Sequence, residues 1–261
     1  MTRLSDAFAR AKAEGRPALV TYLMGGDGSI DATEALLVAL DLSGADVIEL
    51  GIPFSDPIAD GPVLQAAATR ALKALATLPK LLDLLVRLKG KLQAPIVLMG
   101  YLNPFLASGL DAFAAAAGRA SVAGVIVPDL PLEEAGPLRT ALAAHEIDLV
   151  PLVAPTTGAE RMKAIAASAR GFVYYVSVTG VTGARAELPA DVAERIAELR
   201  KASKAPVAVG FGIARAEQAA ALRGVADGVV VGSALVATHH EKGVVAAAEL
   251  VRSLAAALRK G

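Results

Sequence analysis

Eight short apolar runs recur along the chain, separated by longer Ala/Leu-rich stretches. The runs begin near Ala18, Asp46, Pro95, Val122, Ile147, Gly171, Pro206 and Asp227. Nearly every residue in them is apolar, as in strands covered on both faces. The separating stretches repeat apolar residues at helical spacing, as in Ala35/Leu36/Ala39/Leu40, Leu81/Leu82/Leu85/Val86, Leu138/Leu142 and Ile196/Leu199. Eight strand-then-helix units in 261 residues predict an α/β chain folded as a (β/α)8 TIM barrel, with residues 1–261 forming a single domain. A doubly wound open sheet is the competing arrangement. The regular eightfold count, without an isolated N-terminal glycine fingerprint, favours the barrel.

Two features go beyond the plain repeat. Leu4, Phe8 and Ala11 form one apolar face with Ser5 as a cap, which predicts an extra N-terminal helix plugging the barrel bottom. The spacing also lengthens between the second and third runs. That connection holds a loop at Pro53–Asp60, a helix from Pro62 to Lys73 and another from Pro79 to Leu92. Long strand-to-helix connections lie on the catalytic face of a barrel, so this enlarged loop points to function.

Composition excludes several classes. Lys+Arg and Asp+Glu balance at 26 each and aromatics are only 4%, so no basic field recruits nucleic acid or an anionic membrane. The chain has no cysteine, which removes disulfides, thiolate metal sites and a cysteine nucleophile. Residues 1–16 are charged and amphipathic, unlike a secretory signal. The apolar pattern from Val244 to Leu258 is interrupted by Glu249 and Arg252, too short and too charged to span a bilayer. These features lead us to expect a soluble cytoplasmic protein.

The run Val47-Ile-Glu-Leu-Gly51 carries one carboxylate, Glu49, and then breaks into a Pro/Gly/Ser/Asp loop with Asp56 and Asp60. A carboxylate inside an apolar strand is costly unless it is paired or used. Glu49 is therefore either the partner of a buried cation or a general acid/base, and the scarcity of basic residues in neighbouring strands favours the second. Asp60 either caps the helix that starts at Pro62 or works beside Glu49. Asp56, before Pro57, shapes the loop. Asp129 ends a strand and either joins the site or caps a helix. Tyr22, Tyr101, Tyr175 and Phe211 line a pocket or pack the core. Three glycine-rich turns fall late in the chain: Ser177–Gly183, Gly210-Phe-Gly212 and Gly232-Ser233. Converging backbone N–H groups with a helix N-terminus behind them suit a phosphate, and barrels place such sites after their last strands. Thr182 and Arg185 sit among small residues that suit a closing lid or a plain solvated loop. His145, His239 and His240 lie away from strand ends, so no metal role is expected of them.

The ordered motifs Glu49-Leu-Gly-Ile-Pro-Phe-Ser-Asp-Pro-Ile-Ala-Asp-Gly-Pro62-Val-Leu-Gln65, Met99-Gly-Tyr-Leu-Asn-Pro104, Val127-Pro-Asp-Leu-Pro131, Pro151-Leu-Val-Ala-Pro-Thr-Thr157, Tyr174–Gly183, Val209-Gly-Phe-Gly-Ile213 and Asp227–Ser233 resemble those of the tryptophan synthase alpha subunit family across nearly the whole chain. The resemblance implies a lyase that cleaves indole-3-glycerol phosphate to indole and glyceraldehyde 3-phosphate in tryptophan biosynthesis. It implies Glu49 as general acid/base and Asp60 as the carboxylate that holds the indole N–H. It implies Tyr175 and Thr182 near the substrate, and Gly183, Gly212, Gly232 and Ser233 around the phosphate. Asp56 matches a position that contacts the partner. That partner is expected to be a beta subunit carrying pyridoxal phosphate, in an alpha2beta2 assembly, with no cofactor or metal in this chain. The chain departs from the family at Gly28, where proline is usual and whose loss is expected to loosen the turn. It also departs at Leu75-Ala76, where a glycine is frequent, and at Gly100, where a small polar residue is usual. A sugar-phosphate epimerase or isomerase barrel would call for histidine ligands or an Asp/Cys pair at strand ends, which this chain lacks. A stand-alone indole-3-glycerol phosphate lyase and a non-catalytic barrel that activates a partner stay open.

Overall fold

A computed structural model describes residues 2–176, 190–210 and 212–259. Its sheet contains nine assigned strands: β1 (Ala18–Met24), β2 (Val47–Gly51), β3 (Ile96–Met99), β4 (Val122–Ile126), β5 (Asp148–Val150), β6 (Leu152–Val153), β7 (Val173–Val176), β8 (Val207–Gly210) and β9 (Gly228–Val231). All pairings are parallel, in the order β5-β4-β3-β2-β1-β9-β8-β7-β6. The strands β5 and β6 flank Pro151 and are two halves of one strand. The first half pairs with β4 and the second with β7, so the chain itself closes the ring through Pro151. Proline has no N–H to offer a ladder, but its carbonyl still accepts from Tyr174 N–H at 3.0 Å. The predicted eightfold barrel is thus present, with its fifth run split by a proline.

Between the strands lie α1 (Arg3–Ala13), α2 (Ile30–Leu42), α3 (Pro62–Lys73), α4 (Leu78–Leu88), α5 (Leu102–Ala107), α6 (Leu110–Arg119), α7 (Gly136–Ala143), α8 (Ala159–Ser168), α9 (Ala190–Ala202), α10 (Ala216–Ala220) and α11 (Ser233–Arg259). Helix α11 is interrupted at Gly243, where φ is +81°. The expected pair of helices in the enlarged connection appears as α3 and α4. Thr2 caps α1 by accepting from Ser5 N–H, and Ser5 returns a bond to the Thr2 backbone. Ser5 therefore serves inside the capping box rather than as the cap itself.

Strand side chains alternate between two cores. The outward set packs under the helices, as with Leu19, Ile48, Leu98 and Val229. The inward set, including Val47, Val97, Ala123, Ala208 and Val230, packs on Leu4, Ala7 and Phe8 of α1. The N-terminal helix thus closes the barrel floor, as its apolar face predicted.

Two departures from the family pattern have visible consequences. Leu75 adopts φ +57°, a left-handed conformation that favours glycine, so the leucine carries a strain of about 1 kcal/mol. A Cβ at Gly100 would stand 3.0 Å from both Ile52 and Phe105, which leaves little room for a larger residue. No helix among the described residues is long and apolar enough to cross a membrane.

Candidate active site

Glu49 sits in the middle of β2 and faces the barrel interior, in register with Tyr22 on β1 and Val97 on β3. It is fully buried, and neither carboxylate oxygen has a hydrogen-bond partner among the described residues. No cation among the described residues pairs with it, which counts against the buried-ion-pair reading. Burial alone pushes its pKa up to about 8, because the charged form loses water and gains nothing in exchange.

Asp60 lies at the end of the loop that follows β2. It does not cap α3: that helix begins after Gly61 without a side-chain cap bond. The Tyr101 hydroxyl faces the Asp60 carboxylate instead and favours its charged form. The same hydroxyl oxygen accepts from Ala59 N–H at 2.9 Å. The Tyr101 ring also stacks on Phe54, with centroids 5.4 Å apart. One tyrosine at the end of β3 thus anchors the loop at Phe54, Ala59 and Asp60. Burial raises the Asp60 pKa to about 6, against the lowering pull of Tyr101.

Two further phenols complete the interior. Tyr22 and Tyr174 both keep their protons well above the usual range, first through burial and then because the Glu49 and Asp60 charges repel a phenolate. Each phenol oxygen needs room on the neighbouring strand, and glycine supplies it. A Cβ at Gly51 would lie 2.1 Å from the Tyr22 hydroxyl, and one at Gly210 would lie 2.7 Å from that of Tyr174.

Tyr175 does not join this group. It points outward from β7 into the core with Met162, Ile165, Ile196 and Leu199, and is 1% exposed. The inward residue is Tyr174, one position earlier. In a strand a shift of one residue exchanges the two faces, and counting the alternation along Val173–Val176 was the signal available. The Tyr175 hydroxyl is buried without a partner among the described residues. Tyr175→Phe is therefore expected to leave turnover unchanged and to hold or raise the melting temperature, by up to about 1 kcal/mol of stability. Tyr174→Phe is expected to change kcat or KM instead. Parallel steady-state assays and thermal melts of the two variants check the assignment.

The remaining candidates divide. Gly212 lies just beyond β8 with φ +58°. Gly232 and Ser233 join β9 to α11, and Gly232 abuts Tyr22, since a Cβ there would meet the Tyr22 Cβ at 3.6 Å. The first N–H groups of α11 have no carbonyl within their own helix and suit an anion. Asp129 accepts from Leu102 N–H at 3.0 Å at the start of α5, and it also lines the cavity beside Ile58 and Ala59. Asp56 bonds Ser55 within the exposed loop. Thr182, Gly183, Arg185 and Phe211 lie outside the described residues. Among those described, no three metal-ligating side chains gather.

The sequence also missed a bond. Asp27, in the turn after β1, is 7% exposed and pairs with Arg70 of α3 at 2.7 Å. The turn expected to be loose at Gly28 is pinned there. Gly28 itself adopts φ +90°, which proline cannot reach.

Comparisons with known proteins agree with this geometry. Residues 8–259 match the family model described as tryptophan synthase alpha chain. The tryptophan synthase alpha chain of Geobacter sulfurreducens is 52% identical over 236 residues, covering 90% of this chain and 89% of that one. That of Synechococcus elongatus is 49% identical over 259 residues, covering 99% and 97%. A structure of Mycobacterium tuberculosis tryptophan synthase superposes with a TM-score of 0.93 at 38% identity, over 100% of this chain and 99% of that one. A structure from Aquifex aeolicus reaches 0.92 at 37% identity, over 100% of both chains. The chain belongs to the tryptophan synthase alpha chain family and has a role in tryptophan biosynthesis.

Proposed function

We propose that this chain, as one domain, cleaves indole-3-glycerol phosphate to indole and glyceraldehyde 3-phosphate, with Glu49 and Asp60 as its two acids. The observation that carries the reading is the buried Glu49, unpaired among the described residues and with its pKa near 8, and an Asp60 held near 6 that acts on the same Tyr22 and Tyr174 phenols. Near neutral pH the first is mostly protonated and the second mostly ionised, and such divergent environments assign acid and base roles. Glu49 gives its proton to indole C3. The ring nitrogen takes up positive charge, which the Asp60 carboxylate stabilises through the N–H. Glu49, now ionised, draws the proton from the glycerol hydroxyl next to the ring. The C–C bond breaks, its electron pair returns to the ring, and indole and the aldehyde form. One proton is given and one recovered, so Glu49 ends as it began. Tyr22 and Tyr174 flank the ring, the Gly212 and Gly232–Ser233 turns with Gly183 hold the phosphate, and Thr182 stands near the substrate.

The partner in this reading is a beta subunit that carries pyridoxal phosphate and takes up the indole, in an alpha2beta2 assembly. Ile58, 83% exposed in the Asp60 loop, and Leu106 of α5, half exposed, supply apolar rim surface for it. The reaction is expected in the cytoplasm.

The test mixes purified chain with indole-3-glycerol phosphate, with and without a beta subunit, and follows indole. Release that rises with the partner is expected, while strong activity that ignores the partner would favour a stand-alone lyase. The plot of kcat/KM against pH is expected to be a bell with limbs near 6 and 8, from the Asp60 and Glu49 ionisations. No indole under any condition would reject the reading.

A further inference from the structure

The turn after β1 reads Gly25-Gly26-Asp27-Gly28, so Asp27 carries its only side chain beyond the backbone. Gly26 and Gly28 both have positive φ. Left to itself, such a turn is among the loosest a chain can make. Gly25 N–H donates to Gly51 O at 2.9 Å, and Gly26 N–H to Thr33 Oγ1 at 2.8 Å. The third tie is the ion pair: Arg70 Nε and Nη2 each donate to one Asp27 oxygen at 2.7 Å.

Arg70 belongs to α3, the helix that begins two residues after Asp60. Along its middle turns that helix meets the barrel through Ala67, Ala68 and Ala71, which pack with Tyr22, Met24, Ala76 and Val236, while Val63 and Leu64 are partly buried at its start. Helices lock together when side-chain ridges enter grooves, and alanine ridges are shallow. An alanine face supplies burial but resists sliding or rotation poorly. Of the other polar side chains of α3, Gln65 donates to Asp60 O and Thr69 to Gln65 O. Among the described residues, Arg70–Asp27 is the side-chain bond that ties α3 to the barrel. A guanidinium fork on a carboxylate fixes both distance and direction, which a point charge does not. His239 of α11 faces the same pair and interacts with both charges. Helix α11 therefore meets α3 and the β1 turn at this point.

We propose that Arg70 and Asp27 are positioning residues: their bidentate pair sets the register of α3 on the β1 turn and so fixes where Asp60 stands over the substrate. This rests on the lyase reading above. The test measures kcat and KM for indole-3-glycerol phosphate cleavage, with the beta subunit present, in Arg70→Gln, Asp27→Asn, the double variant and Arg70→Lys. Misplacing a catalytic group by a fraction of an ångström is expected to lower kcat about tenfold or more in each Gln or Asn single variant, with KM within about twofold. The double variant is expected to be no slower than the worse single, since both break one bond. Arg70→Lys, which keeps the charge but loses the fork, is expected to fall between wild type and Arg70→Gln. Folded variants with near-normal kcat, or losses that multiply in the double variant, would overturn the proposal. So would failure of all four variants to fold, Arg70→Lys included, because the pair would then be structural only. A wild-type chain that releases no indole would reject the lyase reading itself, so the two failures can be told apart.

Discussion

Glu49→Gln is expected to lose at least about 100-fold in kcat, the lower end of what a general acid/base contributes, while the folded chain becomes more stable above pH 5. The two effects share one cause. Burial raises the native midpoint of Glu49 to about 8, against 4.5 for the ordinary carboxyl. As pH rises past 4.5, the unfolded chain releases a proton that the native chain keeps. Stability therefore falls as pH climbs toward 8, and by pH 7 the loss is on the order of 3 kcal/mol. Glutamine fills the same space and has no proton to lose. Thermal melts from pH 4.5 to 8 are expected to show no gain for Glu49→Gln at the acid end and a growing gain above it. Binding of a phosphate-bearing substrate analogue, read by calorimetry, is expected to persist. A variant with near-normal turnover would remove Glu49 from the chemistry. A melting curve parallel to wild type at every pH would mean that the native carboxyl titrates normally.

Asp60→Asn is the second large effect. The Tyr101 hydroxyl still accepts from Ala59 N–H and its ring still stacks on Phe54, so the loop keeps its anchor. What disappears is the negative charge facing the ring nitrogen as positive charge grows there. Removal of one preorganised electrostatic group of this kind costs about 10²- to 10³-fold in kcat. Substrate affinity is expected to change little, because the ground-state indole is neutral. The acid limb of the pH profile, which reports Asp60 near 6, is expected to vanish with it. A variant that alters KM alone would make Asp60 a binding group without a part in the transition state.

Much of this was legible in the chain. Apolar runs alternating with helical spacing gave the barrel, and one carboxylate in one of those runs marked the site, because burying an unpaired charge is too costly to be incidental. The parts that were not legible share a physical reason. Tyr174 and Tyr175 have identical side chains, and a choice between adjacent strand positions depends on register, which the neighbouring strand fixes. Asp60 before Gly61-Pro62 carried the local pattern of a helix cap, and its actual partner, Tyr101, lies 41 positions away in the chain. Asp27 and Arg70 are likewise 43 residues apart, and nothing local marks them as a pair. Pro151 splits a strand that composition alone would have left whole.

The seated N-terminal helix leaves the barrel a one-ended vessel. With Leu4, Ala7 and Phe8 filling the floor, the proposed reaction would take in its reactant and release its products at the opposite rim. In that reaction a protein seated over the rim would receive a small apolar product before the surrounding water can disperse it.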